Sequence, residues 1–161
     1  MYKVIFLDID GVLNSGAYIK RLDGGFDDPI NQMDPAAVVR LNRITDATGA
    51  VIVVSSTWRL AFKHSADPLR QLQGCLAAYK ITAPVIGMTP DLQSTRNRRG
   101  KEIQSYIDDH YNEIEKFVII DDDIDMGKLR SKMVKTLFED GLQDSHVETI
   151  IDILNKIPAP L

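Results

Sequence analysis

Apolar residues along the chain fall into two alternating kinds of segment. Short, mostly apolar runs occur at Val4–Leu7, Ala50–Val54, Pro84–Met88, Lys116–Ile120 and Met133–Phe138. Rich in β-branched and aromatic side chains, they predict strands buried on both faces. Between them the spacing changes to three or four. Asp34-Pro35 opens a helix, with Asp at the N-cap and Pro in the first turn, and Ala37, Val38, Leu41, Ile44 and Thr48 line one face before Gly49 stops it. A second helix starts at Asp67-Pro68 and runs to about Tyr79. A third carries Ile103, Tyr106, Ile107 and Tyr111 as its stripe, and the last presents Val147, Ile150, Ile151 and Leu154 behind a Ser145–Glu148 capping box, with Pro158 as its end. Asp140-Gly141 reads as a turn. Strands alternating with helices predict an α/β fold whose parallel sheet is covered on both faces.

One region breaks the rhythm. Ser15 to Met33 holds Gly16, Gly24, Gly25 and Pro29 among several aspartates, which predicts a loop or short hairpin. At about twenty residues it is too short for an independently folded lid. No internal repeat, low-complexity tract or linker interrupts the rest. The 161 residues, 44% hydrophobic, are therefore expected to form one domain, 1–161, acting as a monomer or weak homodimer.

Composition narrows the classes of function. A net charge of −4 gives no general attraction to nucleic acid or to membrane surfaces, and leaves only a local basic patch for such a role. The single cysteine, Cys75, excludes an internal disulfide framework and fits a reducing compartment. It falls in the helical stretch Leu69–Tyr79 and reads as a packed thiol. No apolar run approaches membrane-spanning length and no charged leader precedes the first strand, so a cytoplasmic location without membrane contact is expected.

The chemistry gathers where strands end. Asp8 and Asp10 flank Ile9 directly after the first run, and side chains two apart on an extended segment point the same way. Both carboxylates then reach the C-terminal edge of the sheet, where ligands bind in open α/β folds. Crowded carboxylates need a cation or a shared proton, and Mg²⁺ favours a few carboxylates together with water and substrate phosphate. The second run ends in Ser55-Ser56-Thr57-Trp58-Arg59. A hydroxyl with backbone N–H groups at such an edge holds a phosphate oxygen, although it also satisfies loop backbone. The Arg59 fork suits phosphate, and Trp58 reads equally as core or as a residue beside the substrate. Thr89–Gly100 is a polar loop with Arg96, Arg98 and Arg99, followed by Lys101 at the start of a helix, an arrangement that suits an anion. Asp121, Asp122, Asp123 and Asp125 follow the fourth run, and so many carboxylates together must be solvated or metal-bound.

The wording Asp8-Ile9-Asp10-Gly11-Val12-Leu13 resembles the first motif of the haloacid dehalogenase (HAD) superfamily, and the other three segments follow in that superfamily's order. SSTWR at 55–59 is further similar to HAD domains of bacterial and phage proteins, some linked to nucleic-acid repair. The resemblance covers Val4 to about Leu154. It implies a Rossmann-like three-layer α/β/α sandwich without a large cap, and a small flap in Ser15–Met33 whose Tyr18, Lys20, Arg21 and Phe26 line the entrance. It further implies that Asp8 is a nucleophile forming an aspartyl phosphate. Asp10 is then the general acid and later the base, and Ser55, with Ser56 as the alternative, binds the phosphoryl group. Arg99, or else Lys101, neutralises charge at the third motif. Mg²⁺ is held by Asp8, Asp10, Asp121 and Asp122, with Asp122 the direct ligand and Asp121 its orienting partner. The implied activity is a Mg²⁺-dependent phosphatase on a phosphorylated substrate, first a polynucleotide phosphate end. Trp58 would stack a base while Arg59 and the Arg96–Lys101 cluster track a backbone. A phosphoprotein, a small phosphoester, or a non-catalytic phosphate-binding role are the alternatives.

Overall fold

The computed structural model describes residues 1–22, 32–93 and 96–156. The apolar runs form five parallel strands: β1 Tyr2–Leu7, β2 Val51–Val54, β3 Val85–Met88, β4 Ile114–Asp121 and β5 Met133–Lys135. Their order across the sheet is β3-β2-β1-β4-β5, so the first strand is central. It pairs with β2 on one side and β4 on the other.

Alternation along these strands divides the interior into two cores. Ile5, Leu7, Ile52, Val54, Val118 and Ile120 face helices α2 (Pro35–Thr48), α3 (Pro68–Ala78) and α5 (Asp144–Asn155). Val4, Phe6, Val51, Val53 and Ile119 face α4 (Arg98–Asp109) and Met126. The result is the expected three-layer α/β/α sandwich. Burying one such side chain contributes on the order of 1.5–3 kcal/mol. Because β1 is buried against both layers, the position of its C-terminal end is fixed.

Local chemistry sets the helix ends. The Asp34 carboxylate accepts from Ala36 N at 2.9 Å, and Gly49 takes the left-handed conformation (φ 67°) that closes α2. Asp67 caps α3 through Arg70 N at 3.0 Å.

Several expectations need correction. The last strand stops at Lys135, because the Thr136 hydroxyl bonds the carbonyl of Gly11 (2.7 Å) and the chain then turns, leaving Leu137 and Phe138 exposed. The box that caps α5 is Gln143 with His146, not Ser145 with Glu148, since the helix begins at Asp144. Tyr111 lies beyond the end of α4 and is exposed. Ser15–Met33 contains a helix where a loop or hairpin was expected: α1, Gly16–Lys20, five residues long and capped by the Ser15 hydroxyl on Tyr18 N at 3.1 Å. Gly24, Gly25, Phe26 and Pro29, and Pro158 at the other end, lie outside the described residues. No helix among the described residues is long and apolar enough to cross a membrane.

Candidate active site

The sheet register assembles the site. Leu7 lies beside Val54 on one side and Ile120 on the other, and Val54 lies beside Met88. One residue further on, Asp121, Asp8, Ser55 and Thr89 therefore stand abreast at the C-terminal ends of β4, β1, β2 and β3. Backbone bonds continue the pairing into this row: Asp8 N to Ile120 O at 3.0 Å, Ser55 N to Leu7 O at 2.8 Å and Thr89 N to Val54 O at 3.0 Å. Strand alternation carries the row onto the face of Phe6, Val53 and Ile119, the face covered by α4.

All four residues are buried. Three of them hold the side-chain oxygens that are buried without a hydrogen-bond partner among the described residues: Ser55 Oγ, Thr89 Oγ1 and Asp121 Oδ2. An unsatisfied buried oxygen costs about 1–3 kcal/mol. Three in one row mark a place built to hold a ligand.

Asp8, Asp121 and Asp122 each bring a carboxylate oxygen within 4.8 Å of the others. Burial raises the affinity of all three for protons. For Asp121 burial and the charge of Asp8 together push the pKa up to about 8, against the pull of Arg99. For Asp8 burial outweighs Arg99, the Ile9 N–H and the Ser56 hydroxyl, which all favour the ionised form. An all-oxygen, charge-crowded set whose Asp121 Oδ2 accepts no hydrogen bond among the described residues fits a hard divalent cation. Gly11 lets the set close up. It sits at φ 75°, and a Cβ there would fall 2.4 Å from Asp122 Oδ2.

The cation of the site is Arg99, in the first turn of α4. Its Nε lies 3.4 Å from Asp121 Oδ2 and its Nη2 3.8 Å from Asp8 Oδ1, while Nη1 donates to the carbonyl of Ser55 at 2.5 Å. Gly100 N bonds Asp125 O at 2.9 Å, tying the helix start to the acidic loop. Lys101 points elsewhere. It lines a separate cavity of about 210 Å³ with Asn97, Gln104, Met126, Lys128 and Leu129. Of the two serines, Ser56 is engaged: it contacts Asp8 and accepts from Trp58 N at 3.4 Å as the cap of a 3₁₀ turn, Thr57–Phe62. Ser55 keeps its hydroxyl unpartnered.

Asp10 sits at the start of a turn, with its charge felt by Asp122. The extended segment ends at Leu7, and the Val12 and Leu13 amides turn back onto Ile9 O at 3.1 and 2.8 Å. The Asp10 carboxylate is consequently not part of the Asp8–Asp121–Asp122 set. Its Oδ1 accepts from Trp58 Nε1 at 3.0 Å and from Asn14 Nδ2 at 2.8 Å. Trp58, half-buried, packs on the core and meets Tyr79 edge-on at 6.3 Å.

Arg59 is the clearest correction. Its side chain is only 3% exposed, so it offers no fork to a substrate. Instead it donates to Thr89 O (2.8 Å), Ser56 O (2.6 Å), Pro90 O (3.1 Å) and Glu102 Oε2 (2.8 Å). The 3₁₀ turn directs it inward, where it braces the ends of β2 and β3 against α4. Arg98 is likewise committed, to Glu102 at 3.0 Å and to Asp91. Arg96 is exposed. Near α1, Lys20 pairs with Glu139 at 2.7 Å and Arg21 with Asp34 at 3.9 Å.

Sequence reasoning passed over Asn14, Thr89 and Glu102. Thr89 follows an apolar run directly, as Ser55 does, and that signal would have found it.

A buried aspartate on the central strand, two more carboxylates beside it, a strand-end serine and an arginine from the following helix define a haloacid dehalogenase-type domain. Residues 4–147 match the sequence profile of the HAD domain in Swiss Army Knife RNA repair proteins, and the chain belongs to that family. No curated protein matches the chain significantly.

Proposed function

We propose that the chain is a Mg²⁺-dependent phosphatase that removes a terminal phosphate from RNA. The observation that carries this reading is the convergence of the Asp8 carboxylate, the unpartnered Ser55 hydroxyl and the Arg99 guanidinium at one point of the sheet edge. Mg²⁺, held by Asp8, Asp121 and Asp122, would supply the positive charge that draws phosphoryl oxygens in and offsets their charge.

The remaining steps belong to the chain. An Asp8 oxygen forms a bond to phosphorus as the bond to the leaving oxygen breaks. That oxygen takes the electron pair and a proton from Asp10. Ser55 Oγ donates to a phosphoryl oxygen, and Arg99 neutralises charge that builds beside Asp8 and Asp121. Asp10, now a carboxylate, takes a proton from water as the water oxygen bonds phosphorus. The bond to Asp8 then breaks, releasing inorganic phosphate and restoring both aspartates.

RNA is the substrate class favoured for two reasons. The family is described from RNA repair proteins. The connection between β1 and α2 is too short for an independently folded lid, and a site without a large cap admits a polymer end. The test is phosphate release from 3′- and 5′-phosphorylated RNA oligonucleotides, phosphopeptides and an aryl phosphate, with Mg²⁺ and with chelator. Preferential Mg²⁺-dependent release from one RNA end is expected. Turnover of phosphopeptides in preference to RNA would overturn the substrate, and binding without any release would leave a phosphate-binding role instead.

A further inference from the structure

We infer that Trp58 is a positioning residue for proton transfer, dedicating one oxygen of Asp10 to the leaving group. The inference rests on the phosphatase reading above. Among the described residues, two hydrogen bonds reach the Asp10 side chain and both fall on Oδ1, from Trp58 Nε1 at 3.0 Å and Asn14 Nδ2 at 2.8 Å. Those two bonds occupy Oδ1 and leave Oδ2 as the oxygen that meets the leaving group. The same two bonds fix the rotation of the carboxyl group and hence the direction of Oδ2.

Both donors are themselves held. Asn14 Oδ1 accepts from Gly11 N at 3.0 Å and its Nδ2 also reaches Gln32 O at 3.2 Å, so Asn14 locks the turn that carries Asp10. The backbone N–H of Trp58 is capped by the Ser56 hydroxyl, and the indole is wedged against the core and Tyr79. Ser56 also contacts Asp8. One short segment, Ser55–Trp58, thereby positions the phosphoryl site, the nucleophile and the proton donor together.

The prediction concerns the leaving group. An aryl phosphate of an acidic phenol departs without a proton, whereas a ribose hydroxyl needs one. Trp58→Phe keeps an aromatic ring of similar shape and deletes only the donor. In single-turnover measurements it should slow phosphoenzyme formation from phosphorylated RNA by about tenfold or more while changing that from dinitrophenyl phosphate less than about twofold, the later water step being common to both. A uniform fall on both substrates is what a merely structural tryptophan would give, and it would overturn the inference while leaving the phosphatase reading intact. Absence of turnover in the wild-type protein overturns both. A second readout does not depend on Trp58→Phe folding. Trp58 is the only tryptophan in the chain, so its indole N–H gives one resolved NMR signal. That signal should shift upfield in Asp10→Ala as the hydrogen bond is lost. An unmoved signal would refute the contact itself.

Discussion

Gly100→Ala should separate the geometry of the site from the stability of the fold. A Cβ at this position would lie 2.2 Å from Met126 O, 2.5 Å from its carbonyl carbon and 2.9 Å from its Cα, all backbone atoms that cannot rotate away. Restoring ordinary contact needs the first turn of α4 to retreat by roughly 1 Å, since carbon and oxygen meet comfortably only beyond about 3.4 Å. Arg99 is one residue away and holds Asp121 at 3.4 Å and Asp8 at 3.8 Å, so the same retreat carries both contacts out of ion-pair range. Overpacking costs about 1–3 kcal/mol, and the gain in helix propensity from glycine to alanine offsets up to about 1 kcal/mol of it. Net destabilisation should then be about 0–2 kcal/mol by urea unfolding. Misplacing catalytic groups by 1 Å costs on the order of a hundredfold, so phosphate release should fall far more than stability does. Native-like kcat/KM together with a native-like urea midpoint would refute the claim that this contact seats Arg99.

The other predictions test the supports of the fold. Arg59→Ala leaves Glu102, itself 2% exposed, with Arg98 as its one charged partner among the described residues, beside the Leu92 N–H at 3.3 Å, and breaking such a buried pair should cost about 3–5 kcal/mol by denaturant unfolding. A loss under about 1 kcal/mol would return Arg59 to the surface role expected from its sequence position. His146 Nδ1 accepts from Gln143 N at 3.0 Å, which requires the neutral ring, and burial lowers its pKa below the usual 6.5. The unfolded chain therefore takes up the proton first, and stability should fall as pH drops below 6.5, levelling off beneath the folded-state value. His146→Gln should flatten that part of the pH–stability curve, and an unchanged slope would contradict it.

The first and fourth motifs were legible because charged residues directly after apolar runs have few structural uses, and register then brings their strands side by side. Choosing Arg99 over Lys101 was also within reach. Arg99 lies four and seven residues before Ile103 and Tyr106, the stripe that faces the sheet, whereas Lys101 does not share that face. Other features required the fold. Trp58 and Asp10 are 48 positions apart, and only the pairing of β1 with β2 brings the indole to the carboxylate. Arg59 read as a phosphate-gripping fork because a six-residue 3₁₀ turn is too short for its period of three to betray which side chain points inward.

The most direct test of the account is to look for the phosphoryl group on Asp8. Wild-type protein is mixed with Mg²⁺ and a phosphorylated RNA oligonucleotide, quenched in acid within the first turnover and digested, and the peptide containing Asp8 is weighed. The account predicts one phosphoryl group on that peptide, located at Asp8, and neither label nor phosphate release in Asp8→Asn. Phosphate release with no labelled peptide, or sustained turnover by Asp8→Asn, would contradict it.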